Sequence, residues 1–196
     1  MPKYILSDPQ QISLIKKLQF QHQIPSLALV VIAFLLNLLM PNFNMHYPSL
    51  GLALIGVIWY MYVGLCFRFK QRIPALDSTA LLSPITGRIR YVKTASDISQ
   101  LKIGKSAVDL VEIRSPHADC MWEGETLKLV YQGCNLTFRF EANKLIRFEN
   151  ANMAAGHVIG VFSGAGSCYL SLPKPLNTGL RPKELCEAGL TSLIAE

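Results

Sequence analysis

The sequence predicts a transmembrane α-hairpin at the N-terminus followed by an all-β sandwich or barrel. Three observations predict it. No Lys, Arg, Asp or Glu occurs from Leu18 to Phe67, although 16% of the 196 residues are charged. Two apolar runs, Ile24–Met40 and Tyr47–Phe67, fill that gap. From Leu81 onward, stretches of alternating or β-branched residues are separated by Gly, Pro or Asn, the pattern of short strands and turns.

Residues 1–23 read as an amphipathic segment. Ile12, Ile15 and Leu18 recur at helical spacing beside Lys16 and Lys17, which suits a helix lying on a membrane surface or packing on a neighbour. Residues 24–67 form the hairpin. Each run approaches the ~20 residues a helix needs to cross ~30 Å of hydrocarbon. The brief linker PNFNMHY makes the two helices antiparallel. Lys16 and Lys17 precede the first helix, Arg68, Lys70 and Arg72 follow the second, and the linker has no Lys or Arg. The positive-inside rule therefore places both termini in the cytoplasm and makes the chain a multi-pass protein of a bacterial inner membrane. The late apolar start and the second span argue against a cleaved signal peptide. Gly51, Ala53, Gly56 and Gly64 suit packing against transmembrane helices of other subunits. Residues 68–80 are a basic linker. Residues 81–196 are the cytoplasmic β-domain, with seven to nine short strands.

Charge and cysteine usage narrow the function classes. The net charge is +6. Basic residues in the β-domain are scattered along the strands, which favours mild attraction to anionic phospholipid over nucleic-acid recognition. The five cysteines are irregularly spaced and form no CxxC pair, so a cytoplasmic domain keeps them reduced and no metal set is expected. The NLT sequon at Asn135 has no meaning in the cytoplasm. An internal echo joins Met153–Phe162 (MAAGHVIGVF) to Cys186–Ala195 (CEAGLTSLIA). Each sets Ala-Gly before an apolar stretch, a half-motif typical of lipoyl- and biotinyl-type β-sandwiches. No hairpin lysine is present to carry a group.

Three segments, taken in order, carry a resemblance: FRFKQRIPALDSTALLSPITGRI, VDLVEIRSPHADCMWEGETLKLV, and GHVIGVFSGAGSCYLSLP followed by CEAGLTSLIAE. Together with the preceding hairpin they resemble the short, membrane-anchored phosphatidylserine decarboxylases. In that family a basic, proline-containing linker leads into a Ser-Pro-x-Asp-Gly turn. A second Ser-Pro turn and a His-bearing stretch follow, and a Gly-Ser bond lies between strands near the C-terminus. The resemblance implies a self-processing reaction. The serine attacks the preceding carbonyl to form an ester, and elimination leaves a pyruvoyl group that accepts electrons as CO₂ departs.

Carried over residue by residue, the resemblance makes Gly166 and Ser167 the Gly-Ser pair, with Ser167 the pyruvoyl precursor. The family's Asp falls on Thr86, which cannot act as a base near neutral pH. Its His falls near Cys120, with His117 and Asp119 adjacent. His157, close in sequence to Ser167, is the candidate replacement base. Glu112 and Arg114 share a strand face and suit a structural ion pair. Cys120 and Cys168 suit burial, and Trp122 and Met121 suit the core. Each missing acid–base group removes about 10²–10⁴-fold in rate. The favoured expectation is a non-catalytic, membrane-anchored accessory or scaffold subunit with no cofactor, partnered by the lipid bilayer and other transmembrane subunits. The competing one is a pyruvoyl-dependent phospholipid decarboxylase, cut at Gly166–Ser167, with catalytic candidates Ser167, Gly166, His157 and His117.

Overall fold

The structure, a computed structural model, describes residues 9–40, 46–70, 80–94, 98–118, 120–149 and 151–194. The chain divides into two compact units, Ile12–Phe67 and one built on Arg68–Glu196.

The first unit holds two helices, α1 (Pro9–Leu39) and α2 (His46–Cys66). Both are long and apolar enough to cross a membrane, by length and composition. The boundary expected at residue 23 does not interrupt α1. Pro25 removes one ladder bond, to the Gln21 carbonyl, and the helix continues past it. Ile12 and Ile15 are buried while Lys16 and Lys17 are exposed, in keeping with the helical spacing in the N-terminal segment. Gly56 lets the helices approach closely: a Cβ there would lie 2.8 Å from Val30 Cγ2 and 2.9 Å from the Ser26 carbonyl oxygen. A Cβ at Gly64 would meet the Gln23 and Gln19 side chains. Gly56 thus serves a close contact inside the hairpin, and Gly64 faces α1 at ordinary contact distance. The buried Gln23 amide donates to the Tyr60 carbonyl at 3.4 Å. Near the turn, His46 Nδ1 lies 2.7 Å from Asn37 Oδ1.

The second unit is one antiparallel sheet curled into a half-barrel, not two stacked sheets. Its strands are β1 (Gly87–Thr94), β2 (Ile98–Lys105), β3 (Glu112–Arg114), β4 (Met121–Glu123), β5 (Thr126–Tyr131), β6 (Cys134–Arg147), β7 (Val158–Pro173) and β8 (Leu185–Cys186). They run in the order β4-β5-β6-β7-β2-β1-β8, with β3 also on β7. Two strands are long, not short: β6 has 14 residues and β7 has 16. Their length lets one strand serve two neighbours in turn. The first part of β7 pairs with β3 and the second with β2, while β6 follows it along the other side. A register shift between Ala142 and Lys144 and a positive φ of 82° at Gly164 mark the bend. The two-residue loop Gln132–Gly133 has positive φ at both positions, the geometry that matches strand twist in a tight hairpin.

Alternation decides the two faces. Leu101 and Ile103 of β2, Phe138 and Phe140 of β6, and Cys168, Leu170 and Leu172 of β7 line the filled inner face. The residues between them point outward. Trp122 joins the core edge, its ring 5.4 Å from Phe140, whereas Met121 is exposed.

Candidate functional site

The stretch Leu81–Gly87 is almost wholly buried, and its backbone groups are bonded in a definite pattern. The Leu82 N–H donates to the Pro116 carbonyl and the Arg114 N–H to the Pro84 carbonyl, both at 2.8 Å. The two Ser-Pro turns therefore bond reciprocally. Each also holds one of the two Ala-Gly turns. The Gly189 N–H donates to the Ser83 carbonyl and the Ser83 N–H to Thr191. Likewise the Gly156 N–H donates to the Ser115 carbonyl and the Ser115 N–H to His157, all four at 2.8 Å. Gly156 and Gly189 have φ of 78° and 69°, so glycine suits both turns. Arg114 fills the space between them. Its Nη1 donates to the Gly156 carbonyl at 2.8 Å, and a Cβ on Gly189 would lie 2.7 Å from Arg114 Cδ. The repeated motifs thus build one buried node with approximate two-fold pairing.

The side chains at the node are engaged as well. The Ser83 hydroxyl donates to the Ile85 carbonyl at 2.8 Å. Thr86 Oγ1 accepts the Ala188 N–H at 3.1 Å in buried surroundings. Ser115 Oγ sits 2.6 Å from Cys120 Sγ and 2.7–2.8 Å from the carbonyls of His117 and Met153. Glu112 and Arg114 form the expected ion pair, at 3.9 Å and nearly fully buried. Thr86 and Cys120, where the family's Asp and His would fall, therefore hold backbone in place. Asp119 lies outside the described residues.

Gly166 and Ser167 lie elsewhere, inside the ladder of β7. Gly166 pairs with Lys105 and Ala142, and Ser167 with Gly104 and Glu141. Gly166 has a packing reason: a Cβ there would lie 2.3 Å from the Glu141 carbonyl oxygen and 2.5 Å from Phe162 Cζ. Ser167 is half-buried on the outer face. Directly opposite stands Glu141, whose carboxylate accepts Arg139 Nη2 at 2.8 Å and the Tyr169 hydroxyl at 2.9 Å.

The histidines do not join Ser167. His117 meets the core-side Tyr131 ring edge-on at 5.3 Å, on the face opposite to Ser167, because Tyr131 and Ser167 fall on different faces of the pleat. His157 precedes β7 by one residue, ten positions before Ser167 and on the other side of the bend at Gly164. Closeness in sequence does not bring it there. Burial pushes the Cys168 thiol well above the usual range. Burial, then the nearby Glu184 carboxylate, push that of Cys186 up to about 12. Both are the opposite of an activated thiol.

One arrangement was not legible in the chain. The basic residues that read as scattered are gathered by register: Tyr91, Lys102, Tyr169 and Arg139 form one row across β1, β2, β7 and β6 on the outer face. Alternation assigns each to a face, but only strand pairing aligns them. Among the described residues no group of three or more His, Cys, Asp or Glu is placed to hold a metal ion. Comparison of the chain with family models, with curated proteins and with solved structures matches none of them.

Proposed function

We propose that the chain is a membrane-anchored, non-catalytic protein with a phosphatidylserine decarboxylase-like β-domain, acting as an accessory or scaffold subunit of a membrane complex. One observation carries this reading. The motif residues of the resemblance are used by the buried node, 80s turn to 110s turn and each to its Ala-Gly partner, while Ser167 lies in a separate ladder away from His117 and His157. A serine hydroxyl is a poor nucleophile without a base to take its proton. The carboxylate opposite it is already held by Arg139 and Tyr169.

Anchoring is supported by the helices. Phe34, Leu38, Leu39, Ile58 and Met61 each expose more than 60% of their surface, which hydrocarbon would cover. In this reading both termini lie on the cytoplasmic side of the inner membrane, the side the positive-inside rule gives to the flanking Lys and Arg residues.

Intact mass and a denaturing gel of the full chain, purified in mild detergent, test the catalytic half. A single full-length species is expected. Fragments meeting at Gly166–Ser167 with a blocked Ser167-derived end, abolished by Ser167→Ala, would instead establish the pyruvoyl enzyme. Stoichiometric co-purification of a membrane protein tests the scaffold half, and a monomer under all mild extractions would refute it.

A further inference from the structure

The outer face of β1, β2, β7 and β6 is cationic and aromatic. Beside the row Tyr91–Lys102–Tyr169–Arg139 runs a second, Lys93–Gln100–Ser171–Thr137. Arg90, at the register shift in β1, lies across Gly104: a Cβ on Gly104 would meet Arg90 Nε at 2.4 Å. Five cations, Arg88, Arg90, Lys93, Lys102 and Arg139, thus share the face with one carboxylate, Glu141, which Arg139 and Tyr169 already bind. A groove of about 400 Å³ runs between the strands, with Tyr91, Arg139 and Tyr169 in its walls. Lys102 Nζ stands 4.8 Å from the Tyr169 ring centroid and Lys93 Nζ 5.1 Å from that of Tyr91. Hydrogen bonding with Tyr169 raises the Lys102 pKa.

We propose that this face docks the β-domain on an anionic phospholipid surface. The proposal rests on the membrane-anchored reading and adds to it the surface that meets the headgroups. Charge complementarity argues for it. The cations are spread over four strands, roughly 15 Å at ~4.8 Å per strand, which matches several headgroups and not one small anion. Tyrosine, with an apolar ring and a polar tip, suits the headgroup level. A lysine already stands over one face of each tyrosine ring, so the rings are poor platforms for nucleobase stacking.

The test uses the full chain in nanodiscs of phosphatidylcholine alone, and of phosphatidylcholine with phosphatidylglycerol. Lysines are modified with an amine-reactive ester and located by mass spectrometry, with exposed Lys144, on the far side of the bend marked by Gly164 and the Ala142/Lys144 register shift, as the internal reference. Lys93 and Lys102 are expected to react severalfold more slowly in the anionic discs, and Lys144 equally in both. Salt at about 0.5 M should erase the difference, because screening then acts within a few ångström. Arg90→Gln should weaken the protecting equilibrium about fivefold, the effect of one cation near an anionic surface. Equal rates in the two discs overturn the docking proposal and leave anchoring intact. Protection by single-stranded DNA but not by anionic discs also overturns it. A chain that enters neither disc overturns the anchoring reading and the proposal with it.

Discussion

Gly166 separates packing from chemistry. If Gly166–Ser167 is a turnless stretch of paired strand, Gly166 is needed for space and Ser167 for little. A Cβ on residue 166 would lie 2.3 Å from the Glu141 carbonyl oxygen and 2.5 and 2.7 Å from Phe162 Cζ and Cε2. Neither neighbour can retreat cheaply. The oxygen belongs to β6, which pairs with β7 on both sides of this point. Phe162 is fully buried and edge-on to Phe140 at 6.4 Å. Overpacking costs about 1–3 kcal/mol, and two fixed neighbours put Gly166→Ala near the top, about 3 kcal/mol. For a unit of this size that lowers Tm by about 10 °C. Ser167→Ala should change stability by less than about 0.5 kcal/mol, because the hydroxyl is half-buried and makes no hydrogen bond to a described residue. Urea unfolding of the full chain in detergent measures both, with Trp122 fluorescence in a Trp59→Phe background reporting on the β-domain. A wild-type midpoint for Gly166→Ala would refute the packing argument. So would a Ser167→Ala chain that runs as one band where the parent runs as two.

Two further outcomes test the node and the buried thiols. Thr86→Val strips the acceptor from the buried Ala188 N–H and should cost about 1–3 kcal/mol in urea unfolding, with Thr86→Ser retaining most of the stability; equal midpoints for all three would sink the structural role of Thr86. Iodoacetamide at pH 8 should label half-buried Cys134 in the native chain and spare Cys168 and Cys186 until denaturant is added. The same burial sets a pH dependence. An unfolded thiol ionises near pH 8.5, whereas the folded Cys186 holds its proton to about 12. Stability is therefore full below about pH 8.5 and falls between there and 12, by about 1.4 kcal/mol per pH unit for each such thiol. Urea midpoints at pH 8 and pH 10 check the sign.

The hairpin and the strand-rich remainder were legible because each rests on local pattern. Uncharged runs near the ~20 residues of a membrane span declare themselves, and so does alternation at Leu127, Leu129 and Tyr131. The boundary at residue 23 followed the start of the apolar run at Ile24, whereas α1 carries the amphipathic segment and the apolar run in one 31-residue helix. What stayed hidden depends on pairing between distant segments. The Ala-Gly echo was visible, but not that Gly156 and Gly189 flank one arginine. Ser83 and Ser115 were visible as turns, but not that their segments bond to each other. His157 is close to Ser167 in the chain, but more than half of β7 and its bend at Gly164 lie between them. The basic outer face was hidden for the converse reason: Lys102 and Arg139 lie 37 positions apart and meet through Tyr169.

The buried cations show why so small a domain tolerates ionised groups inside. A curled sheet gives up ladder bonds where it bends, and each orphaned carbonyl needs a donor. Lys105, almost fully buried, donates from Nζ to the carbonyls of Ser106, Asp109 and Gly164 at 3.0–3.3 Å. Gly164 is the positive-φ residue at the bend of β7, so the ammonium sits where the ladder is broken. Arg114 does the same at the other joint, donating to Gly156 at 2.8 Å and Lys70 at 2.9 Å. Lysine offers three donors and arginine five, more than any neutral side chain, which is what a cluster of carbonyls demands. Glu112 then balances Arg114 and accepts the Lys70 N–H at 3.4 Å, closing the segment after α2 onto β3. Replacing either cation with an apolar residue of equal volume would relieve its own burial but strand the carbonyls it serves. Charge in this interior follows from the shape of the sheet, and needs no catalytic duty to account for it.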